Sequence, residues 1–162
     1  MADGISFKME GVEELNAKLK GLTQDLKYKG GRFALRKAAQ VLTAKAKDNA
    51  KSLDDERTAE DIARNITERW NGRLFKATGN IGFRIGVMGG ADGNLSKEKL
   101  SGLPGGDTRY WRYLEFGTEK MRATPFMRPV VDTSGQDAVN TFIREYDKAA
   151  SRALRRLEKK KK

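Results

Sequence analysis

Residues 81–88, IGFRIGVM, set Ile81, Phe83, Ile85 and Val87 in strict alternation with Gly82, Arg84, Gly86 and Met88. That is the period-two pattern of a half-buried strand. Just upstream, residues 74–77 offer a partner strand, and Thr78, Gly79 and Asn80 supply turn chemistry between the two, so the stretch 74–87 reads as a β-hairpin. Gly82 and Gly86 fall on one face, which leaves that side of the strand bare enough for another backbone or an aromatic ring to lie across it.

Moving outward from the hairpin, the pattern becomes helical. Between residues 32 and 53, Leu35, Ala38, Leu42, Ala46 and Leu53 fall on one narrow arc, with Arg32, Arg36, Lys47 and Lys51 opposite. The alanine-rich stripe predicts close packing along a sheet or another helix. A shorter helix through Ile62, Ala63 and Ile66 is expected to follow and to end near Trp70, Asn71 and Gly72. Before the long helix, Ile5, Phe7 and Met9 read as an edge strand, and Val12, Leu15, Leu19, Leu22 and Leu26 as one face of a helix. The pair Gly30 and Gly31 predicts a break or kink, since glycine weakens a helix interior by about 1 kcal/mol.

Residues 89–107, GGADGNLSKEKLSGLPGGD, hold six glycines and no clear period, and read as a flexible loop. Thr108 is placed to cap a short helix over residues 109–116 that Gly117 ends. Ser134 and Asp137 resemble the capping pair of a last helix, along which Val139, Phe142, Ile143, Tyr146, Ala150, Ala153, Leu154 and Leu157 keep one face. Arg144, Lys148, Arg152 and Arg155 line the other face, and residues 159–162 read as a frayed basic tail. The expected fold is a single α+β domain over residues 1–158. Its small antiparallel sheet is built on the hairpin and packs against the long amino-terminal helix and the carboxy-terminal amphipathic helix.

Composition narrows function. The 162 residues carry a net charge of +11 with no cysteine and no histidine, which removes thiolate nucleophiles, Cys-ligated zinc and the commonest general base and metal ligand. Residues 31–53 and 132–162 are basic while 54–70 are acidic, a segregation suited to polyanions or to head-to-tail contacts between identical subunits. No apolar run is long enough to span a bilayer, and the first residues lack the apolar stretch of a signal peptide, so cytoplasmic synthesis and no membrane contact are expected.

Chemical motifs are incomplete. Glycines 86–93 lack the G-x-x-x-x-G-K-[ST] of a phosphate loop. Asp54, Asp55, Glu56, Glu60 and Asp61 suit a charged helix start better than an acid/base pair or a magnesium site. TAEDIARNITERW supplies the first helix of a helix-turn-helix without a recognition helix after it. No catalytic residue, cofactor site or metal site is assigned. Arg36, Lys47, Lys51, Arg144, Lys148, Arg152 and Arg155 are the candidate contacts to a polyanion or an acidic partner.

The densest apolar cluster is RYWRYLEFGTEKMRATPFMRP, residues 109–129. Tyr110, Trp111, Tyr113, Leu114 and Phe116 would ring a short helix, so that one face enters the subunit's core and the others need a partner. Glu115 among them is expected to bond backbone amides near Gly117 and Thr118, or an arginine, rather than to catalyse. The run Tyr113, Leu114, Glu115, Phe116, Gly117 and Thr118, with Phe126, Met127, Arg128 and Pro129 downstream, resembles the signature of a tail-completion or head–tail joining family of long-tailed bacteriophages. Two departures stand out: ERTAEDIARNI lacks a glycine usual in that family, and Met127 stands where leucine is usual.

The resemblance implies a non-enzymatic virion protein forming a homo-hexameric ring at the top of the tail. It would meet neck and tail proteins such as the terminator, the tube or head-completion proteins, with a passing contact with phage DNA. It implies interface roles for Tyr110, Trp111, Tyr113, Glu115, Phe116, Gly117, Thr118, Phe126 and Arg128. The alternative from charge alone is a basic, non-specific nucleic-acid-binding protein.

Overall fold

The computed structural model describes residues 26–53, 60–89 and 95–160. Its elements in chain order are α1 (Gly31–Lys51), α2 (Ile62–Asn65), β1 (Ile66–Trp70), α3 (Gly72–Thr78), β2 (Phe83–Val87), α4 (Lys97–Ser101), α5 (Trp111–Phe116) and α6 (Pro129–Lys160). The class is the expected α+β. A two-stranded antiparallel sheet lies against a long helix, and a 32-residue carboxy-terminal helix packs along that helix. The edge strand at Ile5–Met9 and the helix at Val12–Leu22 fall outside the described residues.

The helices α1 and α6 run antiparallel. At one end Asn49 donates to the carbonyl of Phe126, 3.0 Å away, just before α6 begins. At the other end a Cβ on Gly30 would lie 3.3 Å from that of Ala149. Gly31, Ala34, Ala38, Ala39, Ala46 and Ala50 are buried on α1, and small residues at these positions let neighbouring backbones approach closely. As expected, the helix is not uniform at the glycines: a single π turn, Leu26–Gly30, gives way there to α1, with Gly30 in right-handed helical geometry. The two glycines also make room for Ala149 and Ile81.

The sheet corrects the expected hairpin. Its second strand is β1, paired Ile66↔Val87 through Trp70↔Phe83, and residues 74–77 belong to the helix α3. Asn71 caps α3 by accepting from the Leu74 amide at 3.2 Å, and Gly79, at φ 73°, ends it. Ile62, Ala63 and Ile66, expected on one helix, are therefore divided between the single turn of α2 and the first residue of β1. Ile66, Glu68 and Trp70 turn toward α1, where Glu68 accepts from Gln40 at 3.2 Å and Arg32 stacks 4.3 Å over the Trp70 ring.

Ala46, Ala50, Ile62, Ala63, Ile66, Phe126 and Val130 form the core, with Leu42, Ile85, Val87, Trp111 and Leu114 packed on it. Two caps differ from expectation. α6 starts at Pro129, where a missing N–H costs nothing, so Ser134 lies buried inside the helix. α5 has Tyr110 as its N-cap with no side-chain cap bond, and the Thr108 hydroxyl instead accepts from Asn65 at 2.8 Å.

That bond belongs to a clasp. The amide of Asn65 also donates to the Gly106 carbonyl at 2.9 Å, and its oxygen accepts from the Gly105 amide at 2.9 Å. The Asp61 amide donates to the Gly105 carbonyl at 2.8 Å. The stretch read as an aperiodic loop thus holds a helix, α4, with Leu100 fully buried, and a backbone stitched to residues 61–65.

Candidate functional site

The aromatic segment is built on an ion pair whose carboxylate is buried. α5 stops at Gly117, whose φ of 76° and ψ of 180° turn the chain into a short reversal closed by the Thr118–Met121 bridge. The chain then returns along α5, with the Thr124 amide donating to the Leu114 carbonyl at 2.7 Å. There the Glu115 carboxylate, its side chain only 2% exposed, accepts from the amides of Phe126 (2.8 Å), Met127 (2.9 Å) and Arg128 (3.0 Å). It also accepts from Arg128 Nε at 3.2 Å, and Arg128 Nη2 donates to the Glu115 carbonyl.

Burial pushes the Glu115 pKa up, but the three amides and the guanidinium outweigh it and hold the carboxyl below its ordinary value. A carboxylate so stabilised and so fully engaged is a poor base; its chemistry is that of a fastener. The expected kind of partner, backbone amides and an arginine, is correct. The amides belong to residues 126–128 rather than to Gly117 and Thr118.

The fastener decides which aromatics face outward. Phe126 is buried at 1% exposure against Trp111, centroids 6.5 Å apart, so it supports the surface from within rather than forming it. Trp111 and Tyr110 are half-buried on the core. Tyr113 and Phe116 remain 59% and 62% exposed, joined by Met121, and Arg128 lies 5.3 Å over the Phe116 ring. The structure thus gathers Glu115, Phe116, Gly117, Phe126 and Arg128 into one unit, with exposed Thr118 at its tip.

Several of the basic residues already have acidic partners. Lys51 pairs with Asp48 at 2.9 Å and Arg36 approaches Glu68 at 3.7 Å, while Lys47 is half-buried. On α6 Arg144, Lys148, Arg152 and Arg155 are exposed as the spacing implied. Glu145 lies among them, however, 3.3 Å from Arg144 and 2.9 Å from Lys148, and Arg152 donates to the Lys148 carbonyl at 3.1 Å.

A second apolar feature went unread in the sequence. Between α1, β2 and α6 lies an open groove of about 410 Å³, lined by Leu35, Ala38, Phe83, Val139, Phe142 and Ile143 among others. Its signal was the coincidence of small residues on α1 with Gly135 and Ala138 on α6, which lowers the walls. Among the described residues, no group of carboxylates is arranged to hold a metal ion and no helix is long and apolar enough to cross a membrane.

Fold and surfaces together define a small α+β fold that presents a fixed aromatic segment and an open apolar groove. The profile of the HK97-gp10-like family, described as "Bacteriophage HK97-gp10, putative tail-component", matches residues 13–117, well over half of the chain, and the chain belongs to that family. It is a bacteriophage tail component, and the virion is where such a component resides. Comparison with curated proteins and with solved structures gives no significant match.

Proposed function

We propose that this chain is a structural, non-catalytic subunit that assembles with copies of itself into a six-fold ring at the head-proximal end of the tail, completing the tail and joining it to the head. The observation that carries this reading is the outward pair Tyr113 and Phe116. Two large aromatics are held exposed on a short helix that a buried carboxylate ties to the returning chain, in the segment that resembles tail-completion proteins. Aromatic side chains so placed are the usual anchors of protein interfaces. The apolar groove gives a neighbouring subunit a second surface to cover. In this reading the α6 stripe docks on acidic faces of neck or tail proteins.

The test is complementation of a phage lacking this gene with Tyr113→Ser/Phe116→Ser, alongside electron micrographs of purified protein at rising concentration. The expected result is rings from the wild-type chain, and from the variant a folded protein, no rings, and heads and tails left apart. Infectious particles at normal yield with the variant would overturn the proposal.

A further inference from the structure

The face of the sheet turned away from α1 carries Thr67 and Arg69 on β1 and Arg84 and Gly86 on β2. The register sets Arg69 directly opposite Arg84 and Thr67 opposite Gly86. Like charges directly opposite on a sheet destabilise it, so an isolated fold has no use for this pair. A cavity of about 550 Å³ opens over these residues, walled on its far side by Lys99 of α4 and by Leu103. Its floor at Gly86 is vacant: a Cβ there would meet no atom within 4 Å. Among the described residues no side chain lining the cavity is acidic, and Arg69, Arg84 and Lys99 make no ion pair.

From this trough we infer that the outer sheet face is a site for the phosphodiester backbone of DNA. Among the described residues three cationic side chains line one open cavity, and Thr67 adds a hydroxyl. Arginine and lysine without accompanying acids are the composition of phosphate contacts, whereas protein interfaces are depleted in lysine and mix donors with acceptors. The α6 stripe is the weaker candidate because Glu145 already answers two of its cations. The site does not depend on ring assembly, and it adds to the tail role a surface that DNA passing the neck would meet.

The experiment measures binding of the full chain to a fluorescent duplex by anisotropy across a salt series. It compares Arg69→Gln/Arg84→Gln/Lys99→Gln with an equal-charge control, Arg144→Gln/Arg152→Gln/Arg155→Gln, melting curves confirming that each folds. Each lost phosphate contact lowers the slope of log affinity against log salt by about 0.9. The trough variant is expected to lose a slope of roughly two to three and at least tenfold in affinity, and the control much less. Gly86→Glu, which places a carboxylate in vacant space on the floor, is expected to weaken binding similarly without altering the fold. Equal losses in trough and control variants, unchanged binding by Gly86→Glu, or a wild-type chain whose binding ignores salt would overturn the inference. So would polyglutamate displacing the duplex at matched charge, which would mark an acidic protein as the occupant.

Discussion

Glu115 and Arg128 grip each other twice across the turn between α5 and α6: the guanidinium bonds the carboxylate at 3.2 Å and also the Glu115 backbone carbonyl. Arg128 remains more than half exposed while Glu115 is almost wholly enclosed, so the pair has one wet and one dry member. The dry member is the one whose loss is felt, because its removal leaves buried amides without an acceptor.

Glu115→Gln keeps shape and removes charge. Its amide nitrogen must face donors, leaving at least one of the three backbone N–H groups unsatisfied. The expected loss is about 3 kcal/mol, read as a shift in the urea midpoint with unchanged slope. Arg128→Ala, at the wet end, is expected to cost roughly 1 kcal/mol.

The same residue gives an acid signature. The folded carboxyl titrates below the ordinary 4.5 of a glutamate, so its contribution is complete above that value and disappears as pH falls through the folded pKa. The stability difference between wild type and Glu115→Gln is therefore expected to shrink as pH drops from about 6 to about 3. Parallel pH profiles for the two proteins would show that the charge contributes nothing.

Two glycines are set by contact. A Cβ on Gly105 would sit 1.9 Å from the Asp61 carbonyl oxygen, so Gly105→Ala must part residues 61–65 from 105–108. At Gly117 a Cβ would meet the Ala123 nitrogen and Met121 oxygen at 2.9 Å, with φ at 76°. Each alanine variant is expected to lose about 2–4 kcal/mol in thermal or urea unfolding, against near-neutral Gly86→Ala.

Tyr113→Ser/Phe116→Ser addresses the outward aromatics. Both rings are mainly solvent-exposed, so monomer stability is expected to change by less than about 1 kcal/mol. A larger loss by calorimetry would mean that these rings serve the subunit's own core.

The sequence made the long elements legible and the short ones misleading. Leu35 to Ala46 on α1, and Val139 to Tyr146 on α6, repeat over enough turns for periodicity to decide. Strand β2 showed because Phe83, Ile85 and Val87 alternate without exception. β1 was masked because Ile62, Ala63 and Ile66 fit a helix equally well, and five residues including Glu68 and Arg69 give alternation little to act on. Residues 74–77 resembled a strand by adjacency to turn residues, although Asn71 and Gly79 are the cap and stop of a helix.

At the candidate site, the chemistry of Glu115 could be read from a carboxylate set among aromatics. Its partners could not, since the return of residues 126–128 onto α5 is a tertiary event. Asn65 left no signal at all: one polar residue in IARNI is indistinguishable from a surface asparagine until Gly105 and Thr108 arrive beside it.

The clasp at Asn65 also bears on communication between surfaces. Residues 95–108 form one wall of the cationic trough through Leu95, Lys99 and Leu103 and then lead, through Thr108, directly into α5 and its exposed rings. Asn65 and Asp61 hold this strip as a single piece, so amide exchange at Gly105 and Trp111 should report one shared opening. Any ligand that prefers one setting of the strip must alter affinity at the other end by the same factor that a partner there alters its own, a reciprocity set by thermodynamics alone.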